Sequence, residues 1–157
     1  MTRQALGTYL NDHLAGSVMG IELAERTIRE NEGDPLAARL GRVLEEIRED
    51  QAVLKGVIDR VGAAQNPLKK AGAWLAEKAA RVKLGGTDEA GELSRLEVLE
   101  VLTTGIHGKR ALWRALRVVA PRYEELGALN FDLLERRAIE QHEVVEEMRL
   151  EAAKAVL

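Results

Sequence analysis

The sequence predicts an all-α protein built from four long helices and one shorter crossover helix. Long stretches rich in Ala, Leu, Glu and Arg favour helix, and apolar residues recur along them at helical spacing. The three prolines, at positions 35, 67 and 121, stand at the edges of these stretches, where helices begin or end. At 157 residues the chain has the size of one domain with a substantial core. We therefore expect residues 1–157 to form a single helical bundle.

The first two predicted helices are joined by a tight connection. Apolar periodicity predicts the first helix at about residues 4–31 and the second at about residues 35–63. Between them, Asp34-Pro35 has the pattern of an N-cap residue followed by proline at the first helical position. A connection this short makes the two helices antiparallel neighbours.

The second half of the chain repeats this plan after a longer connection. Asn66-Pro67 predicts the start of the crossover helix, at about residues 67–83. The last two long helices are predicted at about residues 89–118 and 128–155, again antiparallel. The crossover connection of about 30 residues is long enough to return along the bundle. The predicted topology is therefore up-down, a crossover, then down-up.

Four stretches that together span nearly the whole chain carry a family resemblance. They are LNDHLAGSVMGIELAER, NPLKKAGAWLAEKAARVKL, LEVLEVLTTGIHGKRALWRAL and RRAIEQHEVVEEMR. In these stretches the chain resembles the ferritin-like superfamily, specifically bacterial ferritin-like proteins of unknown function. The resemblance implies a ferritin-like four-helix bundle with a crossover helix, and it implies no particular chemistry.

Composition excludes several classes of protein. The chain contains no cysteine, which rules out disulfides, thiolate metal sites and thiol nucleophiles. A net charge of −3 gives no reason to expect nucleic acid as a partner. The sequence has no apolar run long enough for a membrane span and no signal-peptide pattern, so a cytoplasmic location is predicted.

The residues needed for a standard ferritin-like di-iron site are not in place. Such a site uses inward-facing glutamates and two E-x-x-H pairs. The positions three before His13, His107 and His142 hold Leu10, Thr104 and Ile139. Four glutamates do fall at a similar depth in the bundle, but helical angles turn them away from the apolar faces. They are predicted to be solvated: Glu22, Glu46, Glu100 and Glu146.

A different set of polar residues is predicted to face inward, near one level of the bundle. This buried polar layer comprises His13, Asp50, Gln51, Lys109 and Gln141. Lys109 lies at the centre of an apolar face, and a buried ammonium group requires a partner. Asp50 is the first candidate partner, followed by Gln141 and His13. The alternative is that the Lys109 side chain reaches solvent past Gly105 and Gly108.

The crossover helix carries a basic surface that consists of Lys69, Lys70, Lys78, Arg81 and Lys83. Such a surface fits an anionic partner, or it is simply solvated while the apolar side caps the bundle. In the first helix, Gly16 and Gly20 form a smooth strip that predicts close packing between helices.

The sequence thus favours a non-enzymatic ferritin-like bundle without cofactor or standard di-iron site. One alternative is an iron- or manganese-binding bundle with an atypical site drawn from His13, Asp50, His107 and His142. The other is an interaction module that binds an anionic surface through the basic crossover helix. Substrate, physiological partner and oligomeric state are left open, with a homodimer as one option.

Overall fold

The computed structural model describes residues 2–65 and 89–157, and these form an all-helical bundle. The helices are α1 (Thr2–Glu30), α2 (Pro35–Val61), α3 (Glu89–Val119) and α4 (Phe131–Val156). Two short 3₁₀ turns, Ala120–Arg122 and Glu124–Leu126, connect α3 to α4. The all-α prediction is confirmed across these ranges, which contain four long helices. The predicted crossover helix (67–83) and its basic surface, Lys69, Lys70, Lys78, Arg81 and Lys83, lie outside the described residues.

Local signals in the sequence fix both ends of α2. Asp34 has an extended backbone, with φ −82° and ψ 141°, and its side chain accepts a hydrogen bond from the Leu36 N–H at 2.8 Å. Pro35 occupies the first turn, where a missing N–H costs nothing. At the other end, Gly62 adopts a left-handed conformation with φ +74° and stops the helix.

The connection between α3 and α4 is longer than the sequence indicated. Helix α3 ends at Val119, just before Pro121, as expected. Helix α4 begins at Phe131, three residues later than predicted, because Asn130 supplies the N-cap. Its side-chain oxygen accepts a hydrogen bond from the Leu133 N–H at 3.1 Å.

The buried apolar residues form two clusters at opposite ends of the bundle. The proximal cluster holds the start of α1 and comprises Leu6, Leu10, Leu14, Leu54, Val57, Ile58, Val61, Leu112, Trp113, Leu116, Leu126 and Leu134. The distal cluster comprises Leu23, Ala24, Leu36, Leu40, Val43, Leu44, Leu96, Val98, Leu99, Val101, Leu102, Ile106, Val145, Met148 and Ala152. The start of α1 therefore meets the ends of α2 and α3 and the start of α4. Helices α1 and α4 run in one direction, and α2 and α3 run in the other.

The helices pack pairwise, with α1 against α2 and α3 against α4, and with further contacts of α1 to α3 and of α2 to α4. Between the two apolar clusters lies a band of polar side chains that includes Asp50, Lys109 and Gln141. Large exposed apolar residues are scattered, with Val118 on α3 the most exposed within an α-helix at 78%. Within residues 2–65 and 89–157, no helix combines the length and the apolar content that a bilayer span requires.

Candidate functional site

Lys109 of α3 is held inside the bundle by two buried side chains. Its Nζ donates a hydrogen bond to Asp50 Oδ2 on α2 at 2.6 Å and a second one to Gln141 Oε1 on α4. The Lys109 side chain is 15% exposed and that of Asp50 is 1% exposed. The ammonium group therefore does not reach solvent past Gly105 and Gly108. We call Asp50, Lys109 and Gln141 the polar triad.

Gln141 links the other two members of the triad through both ends of its amide. While Oε1 accepts from Lys109, Nε2 donates to Asp50 Oδ2 and to Glu46 Oε2, each at 3.1 Å. This arrangement fixes the orientation of the amide, because the reversed group would place two donors against each other. Gln141 is fully buried, so its satisfied hydrogen bonds remove most of its desolvation cost.

Arg137 of α4 adds a second positive charge at the edge of the triad. Its guanidinium nitrogen donates to the backbone oxygen of Glu46 at 3.0 Å and pairs with Glu49 at 2.8 Å. The same nitrogen lies 3.4 Å from Asp50 Oδ1. Among the described residues that oxygen accepts no hydrogen bond, so this contact is a charge–charge contact without hydrogen-bond geometry. The buried Asp50 carboxylate is thus balanced by two cations.

The electrostatics of Lys109 reflect two opposing effects. Burial disfavours the ammonium form and lowers the pKa of Lys109 below its ordinary value, while the adjacent Asp50 carboxylate raises it. Burial is the larger of the two. With two ammonium hydrogens engaged and the side chain enclosed by three helices, the triad is built as a structural ion pair. It does not have the open access that a nucleophilic lysine needs.

His13 and Gln51, also predicted for this layer, lie apart from the triad. Gln51 Nε2 donates to Ser17 Oγ at 2.9 Å, which joins α2 to α1 beside the triad. His13 packs edge-on against Tyr9, with ring centroids 4.7 Å apart, and burial lowers its pKa despite the neighbouring Asp12. Of the five residues predicted for this layer, the structure brings Asp50, Lys109 and Gln141 into direct contact.

The residues considered for an atypical metal site do not converge on one point. Asp50 is engaged by Lys109, and His13 packs edge-on against Tyr9. His107 and His142 do approach each other across α3 and α4, with ring centroids 6.5 Å apart. Among the described residues, no group of three or more His, Asp or Glu side chains is placed to hold a metal ion.

The four level glutamates differ in exposure. Glu22 and Glu46 are exposed, as predicted, although Glu46 also accepts a hydrogen bond from Gln141. Glu100 and Glu146 are half-buried because Arg149 lies against both. Arg149 donates two hydrogen bonds of 2.7 Å to Glu146, which lower the pKa of that carboxyl, and lies 3.5 Å from Glu100.

The glycine strip of α1 does not pack closely against any described helix. A Cβ atom built at Gly16 or at Gly20 would meet no described atom within 4 Å, and the same holds for Gly105 and Gly108 of α3. Gly7 is different, because its Cβ would lie 3.0 Å from the Ala63 Cβ. A close approach therefore occurs at Gly7, which meets the non-helical chain just after α2 and was not predicted from the sequence.

Sequence reasoning also missed an arginine-lined groove along α3. Arg110, Arg114 and Arg117 share one face at helical spacing and border a shallow groove of about 630 Å³, together with Val118 and Glu135. Arg117 pairs with Asp132 at 2.5 Å. Arg110 and Arg114 have no ion-pair partner in the described part of the chain. The spacing of these arginines was visible in the sequence, but the pairing of both Asp132 and Glu135 with Arg117 was not.

Comparison with known proteins gives no assignment: neither a protein-family model nor a curated protein nor a solved structure matches this chain.

Proposed function

We propose that this chain is a non-enzymatic bundle of ferritin-like architecture whose interior carries an ion pair in place of a metal centre. The observation that carries the proposal is the Lys109–Asp50 contact of 2.6 Å midway along the bundle. Ferritin-like carboxylate proteins hold their metal ions between facing helices at this kind of position. Here the same space contains an ammonium group and the amide of Gln141.

A fixed cation disfavours metal binding for two physical reasons. The ammonium group repels a divalent ion at a distance of a few ångströms, in surroundings where screening by water is weak. It also occupies Asp50, the most buried carboxylate of the described residues and the one best placed to bind a metal. With Lys109 and Arg137 both beside Asp50, the local charge is already balanced.

Two features support the ferritin-like architecture in this proposal. The helices run up, down, down and up in chain order, because the two apolar clusters each contain the helix ends that this order brings together. Val61 at the end of α2 and Leu96 near the start of α3 belong to clusters at opposite ends of the bundle, and the 31 residues of α3 span about 46 Å. A long crossover between antiparallel pairs distinguishes ferritin-like bundles from simple up-down bundles.

Metal analysis tests the proposal. The protein is incubated with excess Fe²⁺ or Mn²⁺ under anaerobic conditions, desalted and analysed for metal per chain. A variant with His107→Ala and His142→Ala serves as the background, which removes the surface imidazoles from the measurement. We expect no stoichiometric iron or manganese in this background. If the protein retains about one or two ions per chain, and if the Asp50→Asn variant loses them, the interior is a metal site.

A second candidate function is binding to an anionic surface, as predicted for the crossover helix. The groove along α3 supports it, since Arg110 and Arg114 are not neutralised by described carboxylates. Anionic phospholipid vesicles are the probe. Binding at low salt that disappears at high salt, and that weakens on Arg110→Gln with Arg114→Gln, is the expected result. An absence of binding at low salt rejects this candidate.

A further inference from the structure

We propose that His107 of α3 and His142 of α4 form a chelating pair for one late first-row divalent ion, such as Zn²⁺, Ni²⁺ or Cu²⁺. The two imidazole rings approach each other edge to face across the seam between α3 and α4. Their centroids are 6.5 Å apart and their planes are inclined by 63°. Residues on two different helices are brought together here, which no spacing in the sequence indicates.

Both rings are available to a metal ion. His107 is exposed and His142 is half-buried, so solvent reaches the seam between them. Neither side chain has a hydrogen-bond or ion-pair partner in residues 2–65 and 89–157. His13 provides a contrast within the same chain, because its ring is packed against Tyr9. Neither ring is therefore held by a hydrogen bond to a described group, although the Glu146 carboxylate is close enough to His142 for their charges to interact.

The separation of the two rings is close to that of two imidazoles that bind the same ion. Imidazole nitrogens bind zinc at about 2.0–2.1 Å, and two such rings around one tetrahedral ion have centroids about 5 Å apart. The observed separation of 6.5 Å therefore requires the rings to approach by about 1 Å. The proposal requires the exposed His107 side chain to rotate towards His142. Water completes the coordination of the ion.

The chemistry of the ligands decides the class of ion. Imidazole nitrogen favours Zn²⁺, Cu²⁺ and Ni²⁺, whereas carboxylate and water favour Mg²⁺ and Ca²⁺. Iron and manganese, considered for the interior, bind a site with only two imidazoles more weakly than copper, nickel or zinc. The site is independent of the proposed function, since it uses no member of the polar triad.

Calorimetric titration with Zn²⁺ and Ni²⁺ tests the pair on protein pretreated with chelator. Wild type should bind one ion per chain, and either His107→Ala or His142→Ala should weaken binding by about 100-fold, because the second imidazole acts at high effective concentration. His13→Gln is the matched control and should bind like wild type. Copper bound to wild type should show two nitrogen ligands by electron paramagnetic resonance.

Three outcomes overturn the proposal. The first is an absence of Zn²⁺ and Ni²⁺ binding to wild type. The second is binding that persists in the double variant, or that depends on one histidine alone. The third is ion-dependent dimerisation in place of binding within one chain, seen by light scattering during the titration. Circular dichroism of each variant checks folding, and the surface position of both rings makes loss of folding unexpected.

Discussion

The buried carboxylate of Asp50 depends on several neighbouring side chains to compensate its charge. Its carboxylate is 1% exposed and is balanced by Lys109 at 2.6 Å and by Arg137 at 3.4 Å. The removal of one charge from such a group leaves the other charge unpaired in the interior, which costs more than the pair itself contributes. The stability of the protein is therefore expected to depend on the combination rather than on either residue alone.

Asp50→Ala should lower the free energy of unfolding by about 3–5 kcal/mol, because it leaves the Lys109 ammonium buried without its carboxylate. Lys109→Met should also destabilise the protein, since Asp50 then keeps only the more distant Arg137. The double variant Asp50→Leu with Lys109→Met should recover most of the loss. Urea denaturation of all three variants measures this, and strictly additive losses would contradict a coupled pair.

The lowered pKa of His13 predicts how the stability of the protein changes as the pH falls. Burial lowers its pKa in the folded protein below the ordinary value of 6.5, so the unfolded chain takes up a proton first as the pH falls. Stability contributed by neutral His13 is therefore present above pH 6.5 and is lost as the pH falls below 6.5 towards the folded pKa. Urea unfolding of wild type and His13→Gln from pH 7.5 downwards should show a steeper loss for wild type. Parallel curves would exclude this contribution.

At the residue scale, the sequence could predict which side chains face the interior of the bundle, but not which side chains touch each other. Helical angles placed Lys109, Asp50 and Gln141 inward, and the structure brings them together. The same angles grouped His13 with them, yet its ring turns to Tyr9, because axial offset and rotamer are not encoded in angular position. Arg137 and Glu46 were missed for a related reason: long side chains on the rim of a helix reach polar groups that their Cα position does not face.

Two glycines, Gly41 inside α2 and Gly62 at its C-cap, should respond in opposite ways to substitution. Gly62 has φ +74°, so Gly62→Ala should cost about 1 kcal/mol of stability at the C-terminus of the helix. Gly41 lies inside the helix, and an added Cβ meets no described atom within 4 Å. Gly41→Ala should therefore stabilise the protein by up to about 1 kcal/mol.

Chemical denaturation of Gly62→Ala and Gly41→Ala measures both effects. Because the two substitutions add the same methyl group, each serves as the control for the other. A loss of stability on Gly41→Ala would indicate that this face of α2 is covered by a second chain or by residues 66–88.

At the element scale, caps decided which boundaries could be predicted. Asp34-Pro35 marked the start of α2 to the residue, since an N-cap residue followed by proline is typical of a helix start. Asn130 carries no such neighbour, and the start of α4 was placed too early. Apolar periodicity locates the body of a helix, whereas its ends depend on single hydrogen bonds.

For the whole molecule, the two apolar clusters draw on all four described helices, which predicts one cooperative unfolding transition. Leu99→Ala in the distal cluster and Leu112→Ala in the proximal cluster should each cost about 2–5 kcal/mol, because both side chains are fully buried. In a Trp74→Phe background, the fluorescence of Trp113 should follow the loss of helix seen by circular dichroism. Two separated transitions would mean that the clusters unfold independently.

The topology of the described bundle follows from the lengths of its connections. Short connections after α1 and α3 made each pair antiparallel, and the structure agrees. The crossover lies outside the described residues, and the ferritin-like resemblance, a cytoplasmic location and a homodimer stay predictions. Light scattering of the purified protein tests the last of these.

The polar triad also fixes how the helices align along the bundle axis. A slide of α3 by one turn, about 5.4 Å, would set Trp113 or Gly105 opposite Asp50 in place of Lys109. Leucine and valine neighbours elsewhere would tolerate such a shift, since one aliphatic contact resembles the next. The triad therefore favours one axial alignment of α2, α3 and α4, and its loss should produce a mixture of alignments before it produces an unfolded chain.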